Sequence, residues 1–368
     1  MRILQLIETG GPGGAETVFA TLSSGLVERG HAVTALVGEG NWLPAEMARR
    51  KIPTTLLTRG GAFDRPLLAQ IRRTIRDEQI DVVHAHLFEG AVYASLAARL
   101  EGVPSLTTLH GQVDVQRGGA RARVKQWLFS RSTRCVACVS DALRRDLQDA
   151  LRLPPSRLRV IPNGVVRGSP RPADAPTMRT SARTGSTRQL IAIGNIRQPK
   201  DYPTLLAAVA VLRAQAVDVH LHIAGQPDGD GLFESLQRQA QALEVASHVT
   251  FHGFVADPMP LLAQADCFVL SSSKEGFSLA TIEAMLAGVC VVATRSGGPE
   301  EILRDGETGL LVPVGDPASL AAAIRRVIED RTLATQLAAA ALADATQRFS
   351  IDRMVSDYER VYREVTGR

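Results

Sequence analysis

Residues 270–301 read LSSSKEGFSLATIEAMLAGVCVVATRSGGPEE. An apolar strand end gives way to a small-residue loop, then to a helical stretch, then to a second apolar strand that runs into a Gly-Gly-Pro turn. That succession belongs to a parallel sheet with helices laid across its faces. The junction also carries chemistry. Glu275 and Glu283 flank GFSLATI, and in a helix starting here the backbone N–H groups of Phe277, Ser278 and Leu279 lack internal partners. Together with the positive end of the helix dipole they make a place for a phosphate. Glu283, about one turn further in, can accept hydrogen bonds from two vicinal hydroxyls, as a ribose offers. Glu275, on the loop, can reach a hydroxylated ring beyond the phosphates. Ribose, diphosphate and sugar in a line describe a nucleotide-sugar. Taken singly, either glutamate reads equally well as an ordinary acid near a helix start, favoured by the dipole alone.

Outward from this stretch, short apolar strands alternate with amphipathic helices from end to end. In the first half, strands are expected at 2–7, 32–37, 81–86, 105–109, 135–139 and 157–161, with helices near 15–29, 65–78, 90–100, 119–130 and 141–150. From Pro162 to Arg188 the chain is rich in Pro, Ser, Thr and Arg and has no periodicity. The pattern restarts with strands at 189–194, 219–225, 249–254, 267–271, 290–294 and 309–314, and closes with helices near 316–329, 333–347 and 350–365. A chain of 368 residues is long for one core. The division expected is a first domain at 1–165, a linker at 166–188, a second domain at 189–349 and a terminal helix at 350–368.

Composition narrows the function classes. Apolar residues make up 45% of the chain, yet no apolar run reaches the ~18–20 residues of a membrane span. Met1 leads straight into a strand-like Arg2-Ile-Leu-Gln-Leu-Ile rather than a signal peptide, so a cytoplasmic protein is expected. Cys135 and Cys138 form a CxxC with no second pair and no nearby histidine, and read as core residues rather than zinc ligands. Residues 1–165 hold 22 lysines and arginines against 15 acidic residues, while the remainder is mildly acidic. A basic first half points to an anionic surface or substrate there. The segment 117–134 has six basic residues and no acidic one around Val124, Trp127, Leu128 and Phe129. It suits either the face of an anionic bilayer or an ordinary helix with a solvated basic side.

Other candidates follow the strand ends. Gly13 and Gly14, in a Gly-rich turn entering a helix, let backbone approach a phosphate. His110 stands at a strand end, where α/β sheets bind ligands, and can donate to a sugar hydroxyl. His84 and His86 share one strand face and read as packing or cleft-wall residues. Arg197 and Lys200, in GNIRQPKDYPTLLAA, suit a diphosphate whose charge grows as its bond to a sugar breaks. Asp228-Gly229-Asp230 is a DxD, a metal-site pattern in some transferases, within a composition expected of any surface turn.

The run from Glu275 to Glu301 resembles the EGFGL…EAMA…G.PVVA…GG..E signature of glycosyltransferase family 4. Further resemblances cover nearly the whole chain. Gly13-Gly14-Ala-Glu16 is similar to the family's GGaE loop, Gly30-His31-Ala-Val33 to its GHxV, and Thr108-Leu-His110-Gly111 to its T.HG. Phe251-His-Gly-Phe254-Val255-Ala-Asp257 resembles lGfv.d, and Pro162-Asn-Gly-Val resembles PNGvD, with Val166 in place of the aspartate. Lys200 matches the lysine of GRLxxxKG, whereas Asn195 stands where the arginine belongs and Arg197 is displaced by two residues.

The resemblance implies a GT-B fold: two Rossmann-like, doubly wound parallel-sheet domains facing a deep cleft. It implies transfer of a sugar from a nucleotide-sugar, a UDP-sugar by weak preference, to a glycan or lipid-linked acceptor, with retention of configuration. No metal and no other cofactor is implied, and nucleic acid is not a partner. His110, Glu275 and Lys200 would serve the reaction. Gly13, Gly14, Arg197, Lys200, Phe254, Val255, Phe277, Ser278, Leu279 and Glu283 would hold the donor, with the Ser278 hydroxyl beside it. An epimerase of the same fold and a non-catalytic nucleotide-binding membrane scaffold are the rival readings.

Overall fold

A computed structural model describes residues 1–58, 64–111, 119–165 and 187–368. The expected linker, Val166 included, falls almost wholly outside the described residues, as do Arg117 and Gly118 of the basic segment. The chain divides into two compact units, residues 1–164 with 351–368, and residues 165–350.

In the first unit seven parallel strands form one sheet: β1 (Arg2–Ile7), β2 (Ala32–Val37), β3 (Thr54–Leu56), β4 (Val82–His86), β5 (Ser105–Leu109), β6 (Cys135–Cys138) and β7 (Leu158–Val160). Their order is β3-β2-β1-β4-β5-β6-β7. Every residue of β4, β5 and β6 is buried, as a strand covered by helices on both faces must be. The free thiols of Cys135 and Cys138 lie in this core, pushed up by burial to about 11 and about 12, which leaves them inert.

In the second unit six parallel strands follow: β8 (Arg188–Ile193), β9 (Val219–Ala224), β10 (Val249–Gly253), β11 (Cys267–Leu270), β12 (Val291–Thr294) and β13 (Leu310–Val312). The order β10-β9-β8-β11-β12-β13 repeats the winding of the first sheet. In each sheet the strand order reverses beside the first strand, and the loops at the carboxyl ends part there.

The helix Trp42–Arg49 and the strand β3 have no sequence expectation. Pro44 near the start of the one and the three-residue length of the other defeat periodicity. The Gly-Gly-Pro turn proves to open a five-residue helix, Gly298–Ile302.

The helix Ile351–Thr366 completes the first unit. It packs on the helix Gly14–Glu28, where Gly25 makes room for Val355. Arg29 bonds Ser356 and Glu359 at 2.8 Å each, and His31 Nε2 meets Glu359 at 2.8 Å. Tyr358 and Tyr362 are fully buried.

Both sheets bring strand-end loops together backbone to backbone. A side chain on Gly38, after β2, would collide with the Glu8 carbonyl after β1, and one on Gly225, after β9, with the Gly194 carbonyl after β8. Gly225→Ala should therefore cost about 1–3 kcal/mol through overpacking. A lower denaturant midpoint with unchanged slope is the expected reading.

Candidate active site

The point of strand reversal in the second sheet lies between β8 and β11, and the loops after these strands carry the candidates. After β8 the chain makes a short 3-10 turn, Gln198–Lys200, and enters the helix Tyr202–Ala214 through Asp201 in the left-handed region, its carboxylate capping Thr204. After β11 comes the loop holding Glu275. Hydrogen bonds lace the two loops: Ser273 N–H to the Pro199 carbonyl at 2.8 Å, and the Ser271 hydroxyl to the Lys200 carbonyl at 2.9 Å. Lys200 Nζ stands 2.6 Å from Glu275 Oε2, which also accepts from the Ser272 hydroxyl at 3.1 Å. Gly194 provides the floor, since any side chain there would run into the Lys200 stem.

The Glu275 segment is pinned from its other side as well. Glu275 N–H donates to the Ser296 carbonyl and Gly298 N–H to the Glu275 carbonyl, each at 2.8 Å. A Cβ on Gly298 would strike the Gly276 backbone. The Gly-Gly-Pro sequence is thus the counterpart of the Glu-Gly-Phe loop. Phe277 is buried edge-on against Phe349, with ring centres 5.7 Å apart.

The helix over this junction runs Leu279–Leu286, with Ser278 as its N-cap. The Ser278 hydroxyl, 2% exposed, accepts from Thr281 N–H at 3.3 Å and from the Thr281 hydroxyl at 2.9 Å. The sequence placed that hydroxyl beside a donor substrate. In the structure it caps its own helix, as a serine before a helix start does.

Glu283 lies in the second turn, half-buried, and its carboxyl makes no hydrogen bond among the described residues. Desolvation, with like charge from Asp257 added, pushes it up to about 7. Asp257 belongs to the loop after β10 that also holds Phe254, which is exposed, and half-buried Val255. That loop therefore lies electrostatically within reach of Glu283.

Arg197 is not drawn into this group. Its guanidinium pairs with Asp228 at 2.6 Å, while Asp230 caps Leu232 N–H at 3.0 Å. Both carboxylates of the DxD have structural partners, and among the described residues no group of three or more His, Cys, Asp or Glu is placed to hold a metal.

In the first unit, Gly13 is the N-cap of the helix Gly14–Glu28, in extended backbone with no side-chain cap. A side chain at Gly13 would meet the Glu16 carboxylate, so an anion approaching Gly13 must first displace Glu16. His110 follows β5, half-buried, and burial pushes it down to about 4, so the ring is neutral at physiological pH. Its Nε2 lies 3.0 Å from His86 Nδ1. Sequence reasoning put His84 and His86 on one strand face as packing or cleft-wall residues, and did not pair His86 with His110. It also passed over Glu8, whose carboxylate accepts from the N–H groups of Glu89 and Gly90 at 3.2 and 3.0 Å.

Comparison with known proteins settles the family. Residues 12–167 match Glycosyltransferase Family 4, and residues 176–344 match Glycosyl transferases group 1. The chain is 31% identical to the lipopolysaccharide core biosynthesis glycosyltransferase LpsE of Rhizobium meliloti (strain 1021), over 95% of each chain. It belongs to glycosyltransferase family 4. This family 4 enzyme is also 30% identical to the phosphatidyl-myo-inositol mannosyltransferase of Mycolicibacterium smegmatis, over 97% of its own length and 91% of the relative's. The crystal structure of HepE from Anabaena, in complex with UDP and glucose, superposes with a TM-score of 0.86 at 25% identity, covering 99% of this chain and all of that one. The lipopolysaccharide glycosyltransferase WaaG gives a TM-score of 0.75 at 18% identity over the full length of both. The fold of this glycosyltransferase is GT-B.

The raised Glu283 carboxyl makes a stability prediction. Its folded value of about 7 lies above the ordinary 4.5, so ionisation disfavours the folded state. The penalty is absent below pH ~4.5, grows through the interval, and is complete above pH ~7. Glu283→Gln should therefore be more stable than wild type at pH 8, on the order of 1–3 kcal/mol, and equal to it at pH 4. Thermal unfolding of both proteins across this range is the check.

Proposed function

We propose that this glycosyltransferase moves a sugar from a nucleotide-sugar, a UDP-sugar by preference, to a glycan or lipid-linked acceptor in polysaccharide or glycolipid synthesis. Configuration is retained, and no metal or other cofactor is needed. The observation that carries the reading is Glu283, a desolvated carboxyl without a hydrogen-bond partner among the described residues, about one turn inside the helix that follows the Lys200–Glu275 pair. A vicinal diol offers the two donors this carboxyl lacks, and their hydrogen bonds favour its ionised form. The neighbouring HepE structure, named as a complex with UDP and glucose, supports the same ligand class.

In this reading the donor diphosphate lies between Glu283 and Lys200 and draws Lys200 away from Glu275. The ammonium then meets charge that grows on the leaving diphosphate as the bond to the sugar breaks. Glu275, relieved of its partner, accepts from a sugar hydroxyl. The acceptor oxygen forms the new bond, and its proton passes to the departing phosphate oxygen. His110 donates to a substrate hydroxyl. The backbone N–H groups of Phe277, Ser278 and Leu279 approach the phosphates, and Phe254 and Val255 the base.

Glu283→Ala should weaken binding of UDP and of the UDP-sugar alike, by ~1.5–3 kcal/mol. Glu275→Ala should spare UDP affinity and lower turnover. Calorimetry beside a turnover assay separates the two, and equal losses of UDP affinity would refute the division of roles. EDTA should leave the wild-type rate unchanged. Donor consumption without any acceptor would instead favour an epimerase.

A second reading concerns where the acceptor lies. On the helix Ala120–Ser132, Trp127 and Val124 are exposed at 56% and 48%, one turn apart, with Arg131 5.3 Å over the indole ring. Phe129, of the same apolar group, faces inward and is buried against Phe88. We infer that this face meets an anionic bilayer bearing a lipid-linked acceptor. Among the described residues no helix is long and apolar enough to cross a membrane, so attachment would be peripheral. The protein should sediment with anionic vesicles at low salt, not with neutral ones, and both Trp127→Ala and Arg123→Glu should reduce this.

A further inference from the structure

The first unit holds three imidazoles in a row. His84 and His86 project from one face of β4 with ring centres 4.4 Å apart, and His86 stacks on His110 at 5.3 Å with 19° between the planes. His84 is satisfied on both sides. Its Nδ1 meets the Tyr362 hydroxyl at 2.7 Å, and its Nε2 meets Thr108 Oγ1 at 2.8 Å, which in turn meets the Tyr358 hydroxyl at 2.9 Å. Phe19 stands edge-on to His86 at 5.2 Å. Among the described residues His86 has one polar contact, Nδ1 to His110 Nε2 at 3.0 Å, and its own Nε2 is buried with no partner.

That orphan nitrogen decides the direction of the hydrogen bond. Burial keeps both rings neutral, so each carries one proton. Were His86 to accept through Nδ1, its proton would sit on Nε2, a buried N–H with no acceptor. Donating through Nδ1 leaves only a lone pair unpaired at Nε2. Orphaned buried N–H groups are rarer in proteins than under-satisfied acceptors. His110 Nε2 then accepts, its own proton sits on Nδ1, and Nδ1 has no hydrogen-bond partner among the described residues.

We propose that His86 is a positioning residue, whose Nδ1–H donates to His110 Nε2 and fixes His110 as the Nδ1–H tautomer, a hydrogen-bond donor toward the hydroxylated substrate. The stacked His84, held by Tyr362 and Thr108, keeps the His86 ring in register. This rests on the reading of His110 as a substrate contact, but the tautomer can be measured without substrate.

Long-range proton–nitrogen spectra of the full-length protein labelled with 15N-histidine, with His110 identified through His110→Gln, report the tautomer. Wild type should show a protonated Nδ1 and a bare Nε2 on His110. In His86→Phe, which keeps an aromatic ring but no donor, the proton should move to Nε2. Turnover should fall about 10–100-fold, the size of loss seen when the partner that orients a metal-ligating imidazole is removed, with UDP affinity unchanged. His86→Asn, whose amide can stand near the place of Nδ1, should restore the tautomer and most of the turnover. A bare Nδ1 in wild type, or an unchanged tautomer in His86→Phe, would overturn the proposal. Should His86→Phe fail to fold, the wild-type spectrum and His86→Asn still decide. If the tautomer is as stated yet His110→Ala keeps full activity, the substrate contact of His110 fails and the role of His86 in orienting it stands.

Discussion

The candidate site depends on places where main chain touches main chain. Parallel strands open a crevice only where their order reverses, and the loops there must lie close to be useful. Gly38 against Glu8 and Gly225 against Gly194 allow that closeness in the two sheets. In the second sheet the consequence is direct. With the β8 and β9 ends in contact, the turn at Gln198–Lys200 is held, and Lys200 lies over Gly194 within reach of Glu275. Gly298 does the same for the opposite wall, letting the chain after β12 brace the Glu275 loop.

The resulting site holds unlike carboxyls. Glu275 has a cation and a hydroxyl; Glu283 has desolvation and a neighbouring Asp257. A carboxyl with partners costs the protein little, whereas one without them is maintained against stability. Such an arrangement is retained where a ligand supplies what the protein withholds. The helix start between them is closed by Ser278, whose hydroxyl caps its own helix.

Much of this was readable in the residues. Periodicity located β1, β2, β4, β5 and the strands of the second sheet within a residue or two, because the central ones are continuous apolar runs and β9 alternates with period two. It missed β3 and the helix Trp42–Arg49, where length and a proline leave no period to read. The order of Glu275, Ser278 and Glu283 about a helix start was legible because capping and dipole effects act within one turn. Side-chain partnership was not. Arg197 chose Asp228, Lys200 chose Glu275, and Phe129 turned inward, since partners distant in sequence depend on the winding of the sheet rather than on local order. His86 shows the same limit, because its contact with His110 joins two strands whose pairing no local pattern states.

The helix Ile351–Thr366 bears on how the molecule comes to exist. Residues 165–350 are contiguous, and all that this unit needs has been made before the helix emerges from the ribosome. The first unit, though begun earlier, lacks Tyr358 and Tyr362 until the end, and with them the hydroxyls that hold His84 and Thr108. The usual order of synthesis, in which the leading domain settles first, is therefore reversed for the last step of maturation. The histidine row becomes complete only after the second sheet has been translated, so a chain interrupted before residue 351 lacks the hydroxyls that hold His84 and Thr108.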